Sequence, residues 1–408
     1  MNKNPWERRK TLFSSPLQKT VDVPKRRWKI ISILWQALKR TCTFIGAVIL
    51  IFAVLISWSL SPLIEEIDAP LPNKMVLYLE LDGNLSELPP SFTFADPLSV
   101  AHGLTVKGLI DALYRAKDDP RVVGLYAKVK GGHYAVSHVQ EIRAAIADFK
   151  KSGKFAYIYA PSYDNGLGGF YLASIFDERW MQPMGSVMMT GLNAEMPFAK
   201  DVLDKVGVKA EFFQRKEYKS AYENLTHSKM TPANKEALGA LIGDIADAIS
   251  TDVSKDLGIE KAAFKPMVDR GLFMDQEALD AKLINHLEYE DVLWDEIRER
   301  VTGNTNNDDD IYVHVSNYIM RQGGENPFGF NVQVKADDAS KPNVALIYAV
   351  GAIMDTSEGG SGIAAADEIS QALYDAAYDA SIEAVVLRVD SPGGSPVASE
   401  TILRAVQK

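Results

Sequence analysis

The sequence predicts an α/β protein built from two copies of one unit, and three observations support this prediction. Strand-like apolar runs alternate with amphipathic helical segments from about residue 75 onward. Sliding the chain against itself by 260 positions aligns Ala112-Leu113-Tyr114 with Ala372-Leu373-Tyr374, and the match continues without a gap to Ala145 and Ala405. A stretch of 24 uncharged residues, 41–64, precedes both copies. We therefore expect a duplicated α/β fold behind an N-terminal transmembrane helix.

The charge pattern around residues 41–64 predicts how this segment is oriented. The stretch is long enough to cross a hydrocarbon core of about 30 Å. Residues 1–40 carry eleven Lys and Arg against two acidic residues. Because basic residues stay on the cytoplasmic side, we expect a cytoplasmic basic tail over 1–40 and a single transmembrane helix over 41–64. The body would then lie outside, which in a bacterium is the periplasm, anchored to the inner membrane.

The composition of the body excludes several classes of function. With the basic tail set aside, the remainder is strongly acidic, which argues against nucleic acid as a partner. The only cysteine, Cys42, lies at the start of the predicted span, so the body has no cysteine for a disulfide, a thiolate metal site or a nucleophile. The six histidines form no His-Glu-x-x-His pattern. We expect neither a metal nor a cofactor.

The first copy, 70–301, alternates strands and helices. Strands are predicted at 76–81, 122–129 and 155–160, and helices at 105–119, 136–153 and 170–176. Such an alternation implies parallel strands joined by helical crossovers, with ligands beyond the carboxyl ends of the strands. A long helix is predicted from Pro232, capped by Thr231, to about Gly258.

A polar connector and the second copy follow. Residues 302–340 contain GNTNNDDD and RQGGENPFG and read as a linker, with a short ordered piece at 311–320. The second copy begins at 341 and continues to 408, where the chain stops inside a predicted helix. We expect this copy to be truncated.

The segment RVDSPGGSPVAS, 388–399, places two adjacent glycines after a buried strand of the second copy. Gly393 and Gly394 can adopt positive φ and let backbone N–H groups approach a ligand oxygen, as an oxyanion hole requires. The alternative is an ordinary turn. In the first copy the glycine pair, Gly131-Gly132, lies two places upstream of the matching position.

This segment, the segment EYKSAYE (217–223), the duplication and the N-terminal span together resemble the long form of the signal peptide peptidase A family, bacterial membrane-anchored serine proteases. The resemblance covers residues 41–408. It implies a Clp-protease/crotonase-like superhelical fold and a Ser/Lys dyad in which the first copy supplies the lysine and the second supplies the serine. It places the general base at Lys219, and the oxyanion site and substrate cleft at Gly393 and Gly394.

The chain departs from the family pattern at three places. Lys216-Glu217 stand where a glycine usually precedes the Tyr-Lys pair, Asn224 stands where proline is common, and Lys282 stands where glycine is common. Residues 271–285 otherwise resemble the stretch that closes each copy. The departures leave the local loop shape open.

Taken without the family, Lys219 is most simply interpreted as a solvated surface lysine. A lysine acts as a general base only when it is neutral, so burial must favour the uncharged amine. The apolar neighbours Phe212, Phe213, Tyr218 and Ala221 are expected to provide that burial.

The resemblance places the serine in a Ser-Gly-Gly-aromatic turn, but in the first copy Leu167 occupies that position. The repeat offset then predicts the nucleophile about twenty residues beyond Lys408. Other serines have simpler interpretations: Ser391 and Ser395 as strand-end and cap residues, Ser399 as a helix residue. Ser361 lies in a loop without the elbow spacing of a nucleophile.

The resemblance implies a periplasmic endopeptidase that degrades hydrophobic signal peptides and assembles as a homotetramer. The residues themselves leave two alternative functions open. One is a crotonase-like acyl-CoA enzyme, and the other is a non-catalytic membrane-anchored scaffold of the same fold.

Overall fold

The computed structural model describes residues 71–83, 85–88, 104–305, 311–321, 343–356 and 362–408, and helical residues at 35, 38–41, 43–47 and 50. The chain divides into two units, Met1–Ala69 and Pro70–Lys408. Most of the predicted span, 41–64, lies outside the described residues. Within the described part of the chain, no helix combines the length and the apolar character needed to cross a membrane.

The first copy is built on a parallel sheet. The described strands are β1 (Met75–Leu81), β2 (Val122–Val129), β3 (Phe155–Ala160), β4 (Glu178–Met181), β5 (Ser186–Met188), β6 (Leu272–Met274), β7 (His286–Leu287) and β8 (Tyr312–His314). Six of them form the sheet in the order β7-β4-β3-β2-β1-β8, and every neighbouring pair is parallel. A short antiparallel pair, β5 and β6, lies apart from it.

Helices cover both faces of this sheet. The helices of the first copy are α1 (Val106–Asp118), α2 (Val136–Lys150), α3 (Gly166–Ser174), α4 (Lys200–Lys205), α5 (Glu223–Thr226), α6 (Pro232–Leu257), α7 (Lys261–Arg270), α8 (Asp275–Asp280), α9 (Glu290–Thr302) and α10 (Val315–Arg321). Side chains alternate along β1, so Leu77 and Leu79 pack with α1 and α2, whereas Val76 packs with α9. A parallel sheet buried on both faces is the result.

The long helix α6 shows why the sequence signals at its ends were reliable. The Thr231 hydroxyl accepts a hydrogen bond from the Asn234 N–H, Pro232 occupies the first turn, and Gly258 ends the helix at φ +67°. The prediction for this helix is confirmed to within one residue at its end.

The second copy repeats the start of the first. Its strands are β9 (Asn343–Val350), β10 (Ala352–Met354), β11 (Ile363–Ala365) and β12 (Ile382–Asp390), and its helices are α11 (Ala366–Tyr378) and α12 (Pro396–Gln407). Strands β9 and β12 pair in parallel, as β1 and β2 do. Helices α1 and α11 begin and end at the predicted spacing of 260 residues.

One turn is reproduced in atomic detail in the two copies. Asp119 Oδ1 accepts a hydrogen bond from the Arg121 N–H (3.0 Å), and Asp379 Oδ1 accepts one from the Ser381 N–H (2.9 Å). Each aspartate thus fixes the entry into the second strand of its copy, which supports the duplication inferred from the sequence.

The predicted connector contributes to the first copy. Strand β8 pairs with β1 at the edge of the sheet, and Val315 and Tyr318 are buried. The ordered piece anticipated at 311–320 is therefore an integral edge strand and helix, because its alternate apolar residues complete the first core. The buried residues of the second copy form a separate cluster.

Candidate active site

In the first copy the loops after β1, β2 and β3 lie together and are joined to one another by hydrogen bonds. Gly83 donates its N–H to the Tyr134 hydroxyl (2.8 Å), and the Asn165 amide donates to the Gly132 carbonyl (3.0 Å). Gly132 lies so close to Gly83 that a β-carbon on Gly83 would be 2.6 Å from the Gly132 Cα. Leu167, at the position where the resemblance places the nucleophile, is 2% exposed.

What remains beside these loops is a cavity of about 70 Å³. That volume does not accommodate a peptide, and no hydroxyl side chain stands at the Leu167 position. The loops after β1, β2 and β3 of the first copy are therefore closed by their own hydrogen bonds and side chains.

The corresponding turn of the second copy is fastened to β10. Gly393 has φ +104°, its carbonyl accepts from the Ile353 N–H (3.1 Å), and the Ser395 N–H donates to the Ile353 carbonyl (2.8 Å). The Gly393 N–H donates to the Ser391 hydroxyl (3.1 Å). Among the described residues, the Gly394 N–H has no acceptor. Of the two glycines proposed for an oxyanion site, Gly394 is thus the one with an available donor.

The serines near this turn have structural roles within the chain. Ser395 caps α12 by accepting from the Ala398 N–H (3.3 Å), and the Ser399 hydroxyl donates back to the Ser395 carbonyl (2.9 Å). Ser391 holds the Gly393 amide. These positions agree with the cap and strand-end interpretation; Ser361 lies outside the described residues.

The two glycines should respond differently to alanine. A β-carbon on Gly394 would lie 2.0 Å from the Ile353 carbonyl oxygen, so Gly394→Ala is expected to displace the turn at a cost of about 1–3 kcal/mol. A β-carbon on Gly393 meets nothing within 4 Å, and Gly393→Ala should cost only backbone strain of roughly 1–2 kcal/mol. Hydrogen exchange of the Ser395 amide measures the difference. Unchanged exchange in Gly394→Ala would contradict the fastening to β10.

Lys219 lies in an exposed segment between α4 and α5. Its side chain is exposed, and its N–H donates to the Lys216 carbonyl at 3.4 Å. Lys216 has φ +70° and Lys282 has φ +59°. Both lysines stand where the resembling family favours glycine, and both adopt the left-handed conformation that glycine takes without strain. The departures at Lys216 and Lys282 therefore retain a glycine-type backbone.

The aromatic side chains expected to bury Lys219 do not do so in the single chain. Phe212 stacks on Tyr222 (ring centroids 4.2 Å apart), Phe213 is fully exposed, and the Tyr218 hydroxyl donates to Glu236 (3.2 Å). The expectation of local desolvation was wrong for this chain alone, because these rings face solvent or other partners. Among the described residues, no hydrogen bond or ion pair links this segment to the Gly393-Gly394 turn.

Glu223, which the sequence analysis did not single out, anchors the Lys219 segment. Its buried carboxylate accepts hydrogen bonds from the Thr231 N–H (3.2 Å), the Thr231 hydroxyl (2.5 Å) and the Asn234 amide (2.8 Å). Burial alone would raise the pKa of Glu223, but the hydrogen bonds from Thr231 and Asn234 outweigh it and lower that pKa. The available sequence signal was the capping threonine eight residues downstream.

Comparison with known proteins finds similar proteases. Peptidase family S49 matches residues 148–302. The chain is similar to "Protease 4" of Haemophilus influenzae (27% identity, 92% of this chain and 61% of the relative) and of Salmonella typhi (30%, 72% and 46%). It is also similar to "Serine protease SPPA, chloroplastic" of Arabidopsis thaliana (26%, 75% and 44%).

The chain spans between 44% and 61% of the length of these three relatives. The matched family region contains Lys219 and Glu223, and the matches extend well beyond it. On these matches, residues 148–302 form a peptidase family S49 domain, and the similar proteins support assignment of the chain to the signal peptide peptidase A family.

Proposed function

We propose that this chain is the N-terminal part of a membrane-anchored serine endopeptidase that uses a Ser/Lys dyad. Lys219 of the first copy takes the proton from a serine that follows Lys408 in the longer protein. The serine oxygen attacks the peptide carbonyl, and the Gly394 N–H donates to the oxygen that becomes negatively charged. The amine returns its proton to the leaving nitrogen.

The observation that carries this proposal is the contrast between the two copies. In the first, the Tyr134 side chain stands at the position that matches Gly394, and its hydroxyl accepts a hydrogen bond from the Gly83 N–H. In the second, the flanking Gly393 carbonyl and Ser395 N–H are bonded to Ile353, and among the described residues the Gly394 N–H has no acceptor. This difference supports a division in which the second copy binds the reacting carbonyl. The repeated unit also supports a Clp-protease/crotonase-like superhelical fold.

Location and substrate belong to the same proposal. The uncharged stretch 41–64 behind a basic tail would anchor the chain in the bacterial inner membrane with its body in the periplasm. An enzyme tethered there meets cleaved signal peptides, whose apolar segments are the substrates we propose.

We also propose a homotetramer. Several large apolar side chains between 202 and 222 are exposed in the single chain, including Val202 (63%), Val206 (68%) and Phe213 (101%). Exposed apolar surface of this kind is typical of an interaction site. A second copy of the protein is the partner we propose for it.

The function is tested by comparing two forms of the protein in cleavage of a fluorogenic apolar peptide. The full-length protein should hydrolyse the peptide, and residues 1–408 alone should not, because the nucleophile is supplied by later residues. Turnover by residues 1–408 would show that the nucleophile is misplaced. A folded full-length protein that cleaves no apolar peptide would contradict the peptidase.

A further inference from the structure

Arg388 of the second copy binds two carboxylates of the first. Its Nε and Nη2 donate to the Glu87 oxygens (2.5 and 2.6 Å), and its Nη1 and Nη2 donate to the Glu141 oxygens (3.1 and 3.0 Å). His138 Nε2 lies 2.8 Å from Glu87 Oε1. We call these four residues the inter-copy clamp. They join residues that are as much as 301 positions apart in the chain.

The clamp is a strong and directional contact. Glu87 is only 5% exposed, so its charge depends on its partners. The hydrogen bonds that Arg388 donates to Glu87 are the main cause that lowers the pKa of Glu87, and the same bonds are the main cause that raises the pKa of Arg388. Both groups stay ionised over the ordinary pH range. A guanidinium held by two carboxylates in this way fixes distance and orientation together.

The apolar cores do not fix the position of the second copy relative to the first in this way. The buried residues of the second copy cluster with one another and not with the core of the first. A groove of about 410 Å³ lies between the copies beside Arg388, lined by Ile110, Leu346 and Val386 among others. Apolar contacts around such a groove are non-directional. Among the described residues, the clamp is therefore the contact best suited to set the position of β12.

Comparison of the two copies shows that this arrangement is specific to the second. Lys128 occupies the position of Arg388 in the first copy, and it binds Glu290 Oε2 (2.7 Å) within that same copy. The residue at this position of β12 instead reaches across to the other copy. Where the first copy has a lysine, the second has an arginine, whose planar guanidinium can bind two carboxylates at once.

A metal ion is a weaker interpretation of the same cluster. Glu87, His138 and Asp390 each bring one ligand atom within 4.8 Å of the others. However, Arg388 already occupies both oxygens of Glu87, and its positive charge opposes a bound cation.

We propose that Arg388 is a positioning residue for the reaction. It holds the end of β12, and with it the Ser391–Ser395 turn and the Gly394 N–H, at a fixed place relative to the first copy that carries Lys219. Strand β12 is paired with β9 up to Asp390, so a shift at Arg388 is transmitted along the strand to the turn. The positioning role in catalysis rests on the proposed function; the structural role of the clamp does not.

The test uses Arg388→Lys, which keeps the charge but cannot form both pairs of hydrogen bonds. In the full-length protein, kcat should fall about ten- to a hundredfold while KM stays within about twofold, because a displaced donor affects the transition state. In the 1–408 chain, hydrogen exchange of amides 391–398 should accelerate about tenfold. Lys128→Met, which breaks the matching pair inside the first copy, is the control and should leave both readouts unchanged.

Each outcome decides a separate point. Exchange at 391–398 within twofold of wild type in Arg388→Lys would overturn the clamp. Faster exchange with unchanged kcat in Arg388→Lys would show that the clamp is only a structural contact, and it would overturn the positioning role. A wild-type protein that cleaves no peptide would remove the proposed function, while the exchange result would still test the clamp. If Arg388→Lys does not fold, Glu141→Gln, which changes a half-exposed partner, should accelerate the same exchange; no acceleration would overturn the proposal.

Discussion

Lys219→Ala is expected to reduce kcat/KM for an apolar peptide by about 10²- to 10⁴-fold in the full-length protein, the usual contribution of a general base. The side chain is exposed in the 1–408 chain, so its removal should leave the unfolding midpoint of that chain nearly unchanged. Peptide turnover of the full-length protein and urea unfolding of the 1–408 chain measure the two quantities.

Lys219→Arg separates a base from a mere positive charge. Arginine keeps the charge but remains protonated, so it cannot accept a proton from a serine and should be as inactive as alanine. Arg215→Ala, an exposed cation four residues earlier, is the matched control and should retain full activity. Activity of Lys219→Arg within tenfold of wild type would exclude proton transfer to Lys219.

The exposure of Lys219 adds a condition to this mechanism. A lysine that works as a base must be neutral, and nothing among the described residues shields it: Phe213 is exposed and Phe212 is stacked on Tyr222. The proposed mechanism therefore requires further protein to cover Lys219 in the active enzyme. Residues after Lys408 or a second copy of the protein are the candidates that the proposal offers.

Local patterns in the sequence were sufficient for two central strands of the first copy. Strands 122–129 and 155–160 have the predicted bounds because each is a short apolar run between turn residues. Strand β8 was assigned only to a short ordered piece, because polar stretches on both sides hide the alternation of its buried residues. The duplication located the second copy and its glycine turn.

Contacts between distant residues could not be predicted in this way. Arg388 matched Lys128 in the repeat, yet the two residues bind different partners, and nothing near either one in the sequence identifies Glu87 or Glu141. Glu223 is the last residue of the segment EYKSAYE, and nothing in the sequence identified the residues that bind its carboxylate. Its role depends on the loop that brings Thr231 and Asn234 to its carboxylate.

Glu223→Gln is expected to destabilise the protein by about 1–3 kcal/mol at pH 7 and to lower peptide turnover strongly. Glutamine keeps the size of the side chain but presents one amide oxygen where a carboxylate accepted three hydrogen bonds. The start of α6 and the segment with Lys219 should then exchange amide hydrogen faster. Exchange over 216–235 and urea unfolding measure this, and Glu217→Gln, on an exposed neighbour, is the control.

The pH dependence of this effect has a definite sign. Hydrogen bonds lower the pKa of Glu223 in the folded protein, so its contribution is complete above the unfolded pKa of about 4.3. The contribution is lost as pH falls through the lower pKa of the folded state. The stability gap between wild type and Glu223→Gln should be constant from pH 6 to 8 and should narrow below about pH 4. A gap that persists unchanged at lower pH would mean that the carboxylate charge is not its source.

The double variant shows whether Glu223 acts on catalysis through Lys219. If the carboxylate only holds the lysine segment in place, Glu223→Gln should cost activity in the wild-type background and almost none once Lys219 is alanine. Its effect on stability should be the same in both backgrounds, because the hydrogen bonds to Thr231 and Asn234 do not involve Lys219. Additive losses of activity would instead mean that Glu223 contributes to turnover by a route that does not pass through the lysine.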